Sequence, residues 1–464
     1  MLKRVLVAVK PHWAFAVALG VAALIRLLVL VAYRPALWYG DTPEYLGSAK
    51  ELAIPPVHQI GYPVFLSITH FEGVTVATVT AAQHLIGLAL AILCYAFLQR
   101  RHVPRWLSIA GVSPLLFDGF LITMEQFVMA DTLFLALLLT GLVMLFWDER
   151  PTVWLAFGAG AFLAAATLTR VIGLPVALLA VIYVLLRRAG WRPMLTLAAT
   201  MAIPLAAYVM LFHQKYGTYG FSTHQGGFFY ARVATFVDCD KLQVEERLMR
   251  LCPVEPLDAR KHQEYYLWQA GAVAQWGEAT DIGQEFASAA IAQQPGAYLK
   301  VVALDMWHYF DPFWKPDPTT TSYRVSYELA ADPATIPLVD ASTGRYKVLE
   351  ESRRSALTEA LHWYSLHIKT PTFLIPILLA VVLVALARRR DWANVAAALI
   401  VASGMGMVLA MTAMDMHEPR FLLPTIPIVV LGATVSISSL LRRSPERAPE
   451  PENRPAELAT VAGN

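Results

Sequence analysis

The chain has 464 residues, of which 57% are hydrophobic and only 16% are charged. An average soluble domain is about 45–50% apolar and about 25% charged, so this composition is typical of a bilayer protein and excludes a soluble enzyme, a disordered chain and a fibrous repeat. The net charge of +2 favours no nucleic-acid partner, and three cysteines are too few for a disulfide framework or a zinc cluster.

Apolar runs along the chain predict an all-α polytopic membrane protein with about ten transmembrane helices, because a spanning helix needs about 20 mostly apolar residues. We expect the first run to remain as an anchor, since it is too long for a cleaved signal peptide and Tyr33-Arg34-Pro35 follows it instead of a small-residue cleavage site. The third run contains Pro114 and Asp118, and the fifth is short. The predicted spans are 12–33, 76–98, 107–124, 131–147, 153–169, 171–187, 194–212, 371–387, 392–411 and 421–441.

Basic residues set the predicted orientation, because cytoplasmic connections collect Lys and Arg. With the N-terminus inside, every inner segment carries at least one basic residue, whereas the short outer connections are nearly bare. Ten spans then place both termini in the cytoplasm. The inner basic residues are Lys3, Arg4, Lys10, Arg100, Arg101, Arg105, Arg150, Arg187, Arg188, Arg192, Arg388, Arg389, Arg390, Arg442, Arg443, Arg447 and Arg454.

The spans divide the chain into four predicted parts. They are an N-terminal transmembrane module 1–212 with its first outer loop 34–75, a mixed extracytoplasmic domain 213–370, C-terminal transmembrane helices 371–441, and a disordered cytoplasmic tail 442–464. In the outer domain, the pattern over 282–309 predicts two helices broken at Pro295-Gly296. Cys239 and Cys252 also lie there, where a disulfide and two free thiols are equally compatible with the sequence.

Ionisable residues concentrate on the outer side of this topology. Such groups are costly at membrane depth and usually functional, so we expect them to surround one outer cavity beside interfacial helices. The residues are Asp41, Glu44, His58, Glu125, Asp131, Arg170, Asp415, His417, Glu418 and Arg420.

Simpler structural roles compete with function at several of these positions. Asp41 has the position of a cap on an interfacial helix with Pro43 in its first turn. The negative charge of Asp131 is stabilised at a helix N-terminus by the helix dipole. Arg170 and Arg420 could each serve as a snorkelling anchor or as a phosphate clamp. Four ionisable residues within 415–420 make function the better interpretation for that connection.

Five short motifs, taken in order and on one side, resemble the GT-C superfamily of membrane glycosyltransferases. The resemblance covers 1–441 and is nearest to the bacterial protein-O-mannosyltransferase-like and aminoarabinose-transferase-like branch. The motifs are Gly40-Asp41-Thr42, His58 followed by Gly61-Tyr62-Pro63-Val64-Phe65-Leu66, Ala130-Asp131-Thr132-Leu133-Phe134, Thr169-Arg170, and Arg420-Phe421-Leu422-Leu423-Pro424.

The resemblance implies an inverting transfer of a sugar from a polyprenyl-phosphate donor to a glycan, lipid or protein acceptor at the outer face of a bacterial plasma membrane. It implies Asp41 as the catalytic acid of the first loop, with Asp131 and Glu44 as further acids. The chain departs from the family where Asp41-Thr42 replaces two adjacent acids and Gly61-Tyr62-Pro63 replaces a Pro-Pro pair. The donor phosphate is expected to contact Arg170, Arg420, His58 and His417.

The chemistry agrees with these assignments. A carboxylate can take the acceptor proton, with a pKa that we expect partial burial to raise, and the two arginines can stabilise the leaving phosphate. Such a donor is already activated, in agreement with the lack of a phosphate-binding loop in the sequence, so no cofactor is predicted. The sequence shows no metal-binding cluster, although it is compatible with a divalent ion bound by carboxylates. The alternative is a lipid or solute transporter, which predicts broken helices with acidic pairs at the midplane.

Overall fold

The computed structural model describes residues 10–69, 76–268, 280–313, 327–331, 355–415 and 417–442. These residues form helices joined by loops, with one isolated backbone bridge between Leu37 and Phe127. The helices are α1 Trp13–Ala32, α2 Thr42–Glu51, α3 Gly61–Thr69, α4 Ala77–Arg100, α5 Arg105–Phe117, α6 Gly119–Gln126, α7 Asp131–Leu145, α8 Val153–Thr169, α9 Leu174–Leu186, α10 Trp191–Tyr216, α11 Gln225–Ala234, α12 Glu246–Met249, α13 Gln263–Trp268, α14 Thr280–Gln293, α15 Pro295–His308, α16 Ala356–His367, α17 Leu374–Arg388, α18 Trp392–Met414, α19 Pro419–Leu422 and α20 Thr425–Leu441.

The predicted spans coincide with apolar helices. Among the described residues, five helices are long and apolar enough to cross a membrane (α1, α4, α10, α18, and α19 continued by α20), and α5 with α6 makes a sixth that bends by 41°. Four further apolar helices, α7, α8, α9 and α17, are shorter. The bend lies at Asp118, whose Oδ1 accepts hydrogen bonds from the N–H groups of Phe120 and Leu121 and so begins a new helix.

Large apolar side chains are exposed on the outside of these helices. Leu27 on α1 is 55% exposed, Leu178 on α9 is 61% exposed, and Leu383 on α17 is 64% exposed. Leucines exposed on helix after helix are typical of surfaces that face lipid. The fold is therefore that of an all-α polytopic membrane protein, as the composition predicts.

The helices form two packed groups that share one core. In the first group α8 packs against α7 and α10, and in the second α20 packs against α17 and α18 and also reaches α5. Small residues allow the closest approaches: a Cβ on Gly160 would lie 2.9 Å from the backbone oxygen of Leu197, and one on Gly432 would lie 2.8 Å from that of Ala397.

The basic connections predicted to be cytoplasmic meet at one end of the bundle. Arg442 donates hydrogen bonds to the backbone oxygens of Arg101 (2.8 Å) and His102 (3.1 Å), and Arg389 donates to the backbone oxygen of Arg442. These contacts agree with the predicted common side of the connections after α4, α17 and α20. Lys3, Arg4 and the predicted disordered tail beyond Arg442 lie outside the described residues.

At the opposite end of the bundle, described residues of the segment 213–370, which is predicted to be extracytoplasmic, bind the loop between α2 and α3. The Tyr216 hydroxyl donates to the backbone oxygen of Ile54, and the Thr223 N–H donates to that of Pro56. Where described, this segment has helical regular structure, in place of the mixed composition that the sequence predicts. The break at Pro295 is confirmed between α14 and α15, and Cys239 and Cys252 form a disulfide.

Candidate active site

A cavity of about 680 Å³ lies where the first outer loop meets the end of α8 and the connection between α18 and α20. Its wall is ionisable on one side and apolar on another, where α9 and α18 contribute Leu174, Pro175, Ala410, Met411 and Met414. The ionisable part of the wall contains Glu264, which the sequence did not single out, and seven of the ten predicted outer residues: Asp41, Glu44, His58, Arg170, Asp415, Glu418 and Arg420. Most of the predicted outer cluster therefore meets in one cavity.

Asp41 directly precedes α2 and is held there by its neighbour. The Thr42 hydroxyl accepts from the Tyr39 N–H and donates to the backbone oxygen of Val128, which ties the loop to the start of α7. Asp41 occupies the cap position of α2 but makes no capping hydrogen bond with its side chain. The capping interpretation is therefore wrong for the carboxylate, which faces the cavity instead.

Two cationic side chains approach the same oxygen of Asp41. Arg420 Nη1 donates to Asp41 Oδ2 at 3.0 Å, and His58 Nε2 lies 3.5 Å from that atom. Burial acts to raise the pKa of Asp41, but Arg420 and His58 outweigh it and hold the pKa below its ordinary value. The expectation of a raised pKa for Asp41 is therefore wrong, because Arg420 and His58 together outweigh burial, which is the largest single influence.

His58 bridges Asp41 and Glu44. Its Nδ1 lies 2.6 Å from Glu44 Oε2, while Glu44 Oε1 accepts from the N–H groups of Val57 and His58. Burial acts to lower the pKa of His58, but the two carboxylates raise it to about 9. In the same way burial acts to raise the pKa of Glu44, and hydrogen bonding with His58 lowers it. His58 is consequently charged at neutral pH and is a third cationic side chain in the cavity wall, beside Arg170 and Arg420.

Arg170 enters the cavity from the end of α8. Gly61 makes this possible, because a Cβ there would lie 2.5 Å from Thr169 Oγ1, so a larger residue would push α3 away from α8. Arg170 Nη1 lies 2.5 Å from Asp131 Oδ1. Asp131, the first residue of α7, is 3% exposed and is not part of the cavity wall. The structure thus places Asp131 behind Arg170 and not beside Asp41 and Glu44, which favours a role in holding the arginine.

Arg420 lies between two carboxylates. While Nη1 donates to Asp41, Nε donates to Glu418 Oε2 at 2.8 Å, and the guanidinium lies 4.5 Å from the centre of the Tyr39 ring. The Tyr39 hydroxyl donates to Glu418 Oε1 at 2.7 Å. Because Arg420 is only 9% exposed and Arg170 is ion-paired toward the interior, neither is a snorkelling anchor.

Besides Asp131, two further members of the predicted outer cluster lie outside the cavity wall. The ring of His417 packs 4.2 Å from that of Tyr309, outside the cavity wall, and burial lowers its pKa to about 4, so it is neutral at pH 7. This placement argues against the predicted phosphate contact of His417. Glu125 lies inside the helix bundle, bound to Arg26 (2.8 Å) and His84 (2.7 Å).

Three residues of these networks were not singled out in the sequence. Tyr39 lies two residues before Asp41, where it reads as an interfacial aromatic residue. Arg26 interrupts the first apolar run, and a charged residue inside a span generally has a buried partner. Arg26 was therefore the one sequence feature that could have indicated the bundle network, to which His84 also belongs. In the described ranges no group of three or more His, Cys, Asp and Glu residues is arranged to hold a metal ion.

Fold and site together define a polytopic membrane protein with an ionisable cavity that borders its apolar helices. Residues 346–456, about a quarter of the chain, match the Alg9-like mannosyltransferase family. The matched range contains Glu418 and Arg420 and confirms the resemblance to the GT-C superfamily of membrane glycosyltransferases. The particular branch stays a prediction. No curated protein matches the chain significantly.

Proposed function

We propose that the protein is an inverting glycosyltransferase that moves a sugar from a polyprenyl-phosphate donor to a glycan, lipid or protein acceptor. One observation carries the proposal: Asp41 shares a single cavity with Arg170 and Arg420, and that cavity borders α9 and α18. A lipid-borne phosphate needs both cations and an apolar approach. The name of the matched family makes mannose the first sugar to test.

Each of these groups has one role in the proposed reaction. The acceptor hydroxyl attacks the anomeric carbon, its proton passes to the Asp41 carboxylate, and the bond between the anomeric carbon and the phosphate oxygen breaks with its electron pair on the phosphate. Attack from the face opposite the phosphate inverts the anomeric centre. Arg170 and Arg420 stabilise the negative charge on the departing polyprenyl phosphate, and His58 adds a third positive charge.

The proposed site faces the outside of a bacterial plasma membrane, with both chain termini in the cytoplasm. The disulfide between Cys239 and Cys252 supports this orientation, because disulfides persist in oxidising compartments, and its segment packs on the loop that carries Asp41. The clustering of Arg101, Arg389 and Arg442 at the other end supports it as well.

The test is transfer from polyprenyl-phosphate mannose by the full chain in liposomes, with cell-envelope lipid, glycan and protein fractions offered as acceptors. Asp41→Asn should lower transfer by about 10²–10⁴-fold while sugar-free polyprenyl phosphate still binds, since only the base is lost. A matched control is Glu285→Gln, which removes a surface carboxylate paired with Arg247 and should leave transfer unchanged. Wild-type turnover by the Asp41→Asn protein would overturn the proposal.

A lipid or solute transporter is the second candidate, and one observation favours it. The α5–α6 pair is a broken helix, and α6 carries the buried Glu125. However, both oxygens of that carboxylate are bound by Arg26, and one is also bound by His84, so the charge of Glu125 is already paired inside the bundle. Flux of polyprenyl-phosphate mannose into liposomes without any acceptor would favour the transporter over the transferase.

A further inference from the structure

Arg420 is divided between two carboxylates through two different nitrogens. Nη1 bonds Asp41 at 3.0 Å and Nε bonds Glu418 at 2.8 Å. The guanidinium holds its N–H donors in one rigid plane. One nitrogen can therefore keep its partner while the partner of another nitrogen is exchanged. An anion that binds Nη1 therefore competes with Asp41, whereas an anion that binds Nε competes with Glu418.

Glu418 is much better anchored than Asp41. Glu418 is only 6% exposed. Its Oε1 accepts a hydrogen bond from the Tyr39 hydroxyl at 2.7 Å, and its backbone N–H donates to the Tyr309 hydroxyl at 3.1 Å. The Tyr39 hydroxyl in turn accepts from the Tyr327 hydroxyl at 3.0 Å. The contact most readily exchanged is consequently the one between Arg420 and Asp41.

We propose that Glu418 is a positioning residue, which keeps the Arg420 guanidinium in the cavity while a phosphate takes the place of Asp41 at Nη1. The inference rests on the proposed function and deepens it. Binding of the donor then releases the Asp41 carboxylate, which accepts the proton, while Glu418 holds Arg420 in place. Without Glu418, Arg420 would stay paired with Asp41, so the arginine would not bind the phosphate and the carboxylate would not accept the proton.

Competition of this kind has a distinctive consequence for binding. Asp41→Asn removes the competing negative charge, so it should bind sugar-free polyprenyl phosphate about 5–10-fold more tightly than wild type, although its transfer rate is about 10²–10⁴-fold lower. Glu418→Gln keeps the side-chain size but weakens the charge-assisted bond to Arg420, and should bind the same lipid about tenfold more weakly. Glu418→Ala should weaken binding further.

The experiment is a titration of the detergent-solubilised full chain with sugar-free polyprenyl phosphate, with thermal unfolding measured for each variant. The matched control is Glu125→Gln, which removes a buried carboxylate from an arginine outside the cavity: it should lower the Tm and leave the Kd of the folded protein unchanged. The transfer assay should show a raised donor KM for Glu418→Gln with kcat changed less than threefold.

The outcomes separate this inference from the proposed function. If wild type does not bind polyprenyl phosphate, the proposed function fails and the positioning role with it. If wild type binds but the Glu418 variants share its Kd and lose only Tm, Glu418 is merely structural and the function stands. If Asp41→Asn binds no more tightly than wild type, the exchange at Nη1 is wrong.

Discussion

The protein contains two buried clusters of arginine, glutamate and histidine, and they differ in what surrounds them. In the bundle, Arg26 donates to both oxygens of Glu125 and to the backbone oxygens of Ala22, Leu115 and Leu116. Its guanidinium thus has five hydrogen bonds within the protein. In the cavity, Arg420 is shared between two carboxylates and borders an open space.

The closed cluster joins elements around the loop that carries the site. His84 contacts Gln126 through Nε2, and the Gln126 side chain donates to the backbone oxygen of Tyr33, just before the first outer loop. A Cβ on Gly87 would lie 2.1 Å from Glu125 Oε1, so the carboxylate fills the space beside that glycine. The same residue types therefore serve structure where every donor is satisfied internally, and we propose that they serve binding where some donors face a cavity.

The largest effect should come from breaking the closed cluster. Glu125→Gln leaves Arg26 buried without a full counter-charge and should lower the free energy of unfolding by about 3–5 kcal/mol. Denaturant unfolding in detergent measures this loss. The transfer rate per folded molecule should stay near that of wild type, and a selective loss of transfer without loss of stability would erase the distinction between the two clusters.

Breaking the open cluster should have the opposite signature. Arg420→Lys keeps the charge but loses the planar fork that contacts Asp41 and Glu418, and transfer should fall by about 10²-fold with a small change in Tm. The measurement is kcat with polyprenyl-phosphate mannose beside a thermal unfolding curve. An unchanged kcat would mean that Arg420 does not stabilise the negative charge that develops on the departing phosphate.

His58 belongs to the open cluster, and its charge makes the stability of that cluster depend on pH. Its pKa of about 9, against an ordinary value of 6.5, means that its pairing with Asp41 and Glu44 stabilises the fold fully below pH 6.5, and that this contribution is lost as the pH rises through about 9. The contribution amounts to at most about 3 kcal/mol. Wild type should therefore lose Tm between pH 7 and pH 10 more steeply than His58→Gln, and parallel curves for the two proteins would contradict the assigned charge.

The smallest effect should come from Tyr39→Phe, which keeps the ring beside Arg420 and removes the hydroxyl that bonds Glu418. The loss should be about 1 kcal/mol, seen as a few-fold increase in the donor KM. A companion measurement of Tm separates this from general destabilisation. A fall in kcat with an unchanged KM would place Tyr39 in the chemical step instead.

Much of the fold could be predicted from the sequence. All ten apolar runs became helices or helix pairs, and Pro114 and Asp118 marked the bend. The shared side of Asp41, Arg170 and Arg420 also followed from counting spans. The sequence could not reveal that Asp131 lies behind Arg170 or that His417 faces Tyr309, because a position relative to the membrane does not define the direction of a side chain.

Hydrophobicity and basic charge add up locally along the chain, so the sequence was enough to predict where the chain can enter a bilayer and which connections share a side. Which charges meet depended instead on the tertiary structure. Asp41 and Arg420 are 379 residues apart in sequence, and their contact depends on how the start of α2 approaches α19. The same packing left Arg26 fully enclosed and Arg420 beside a cavity, since hydrogen-bond satisfaction depends on neighbours from distant parts of the chain.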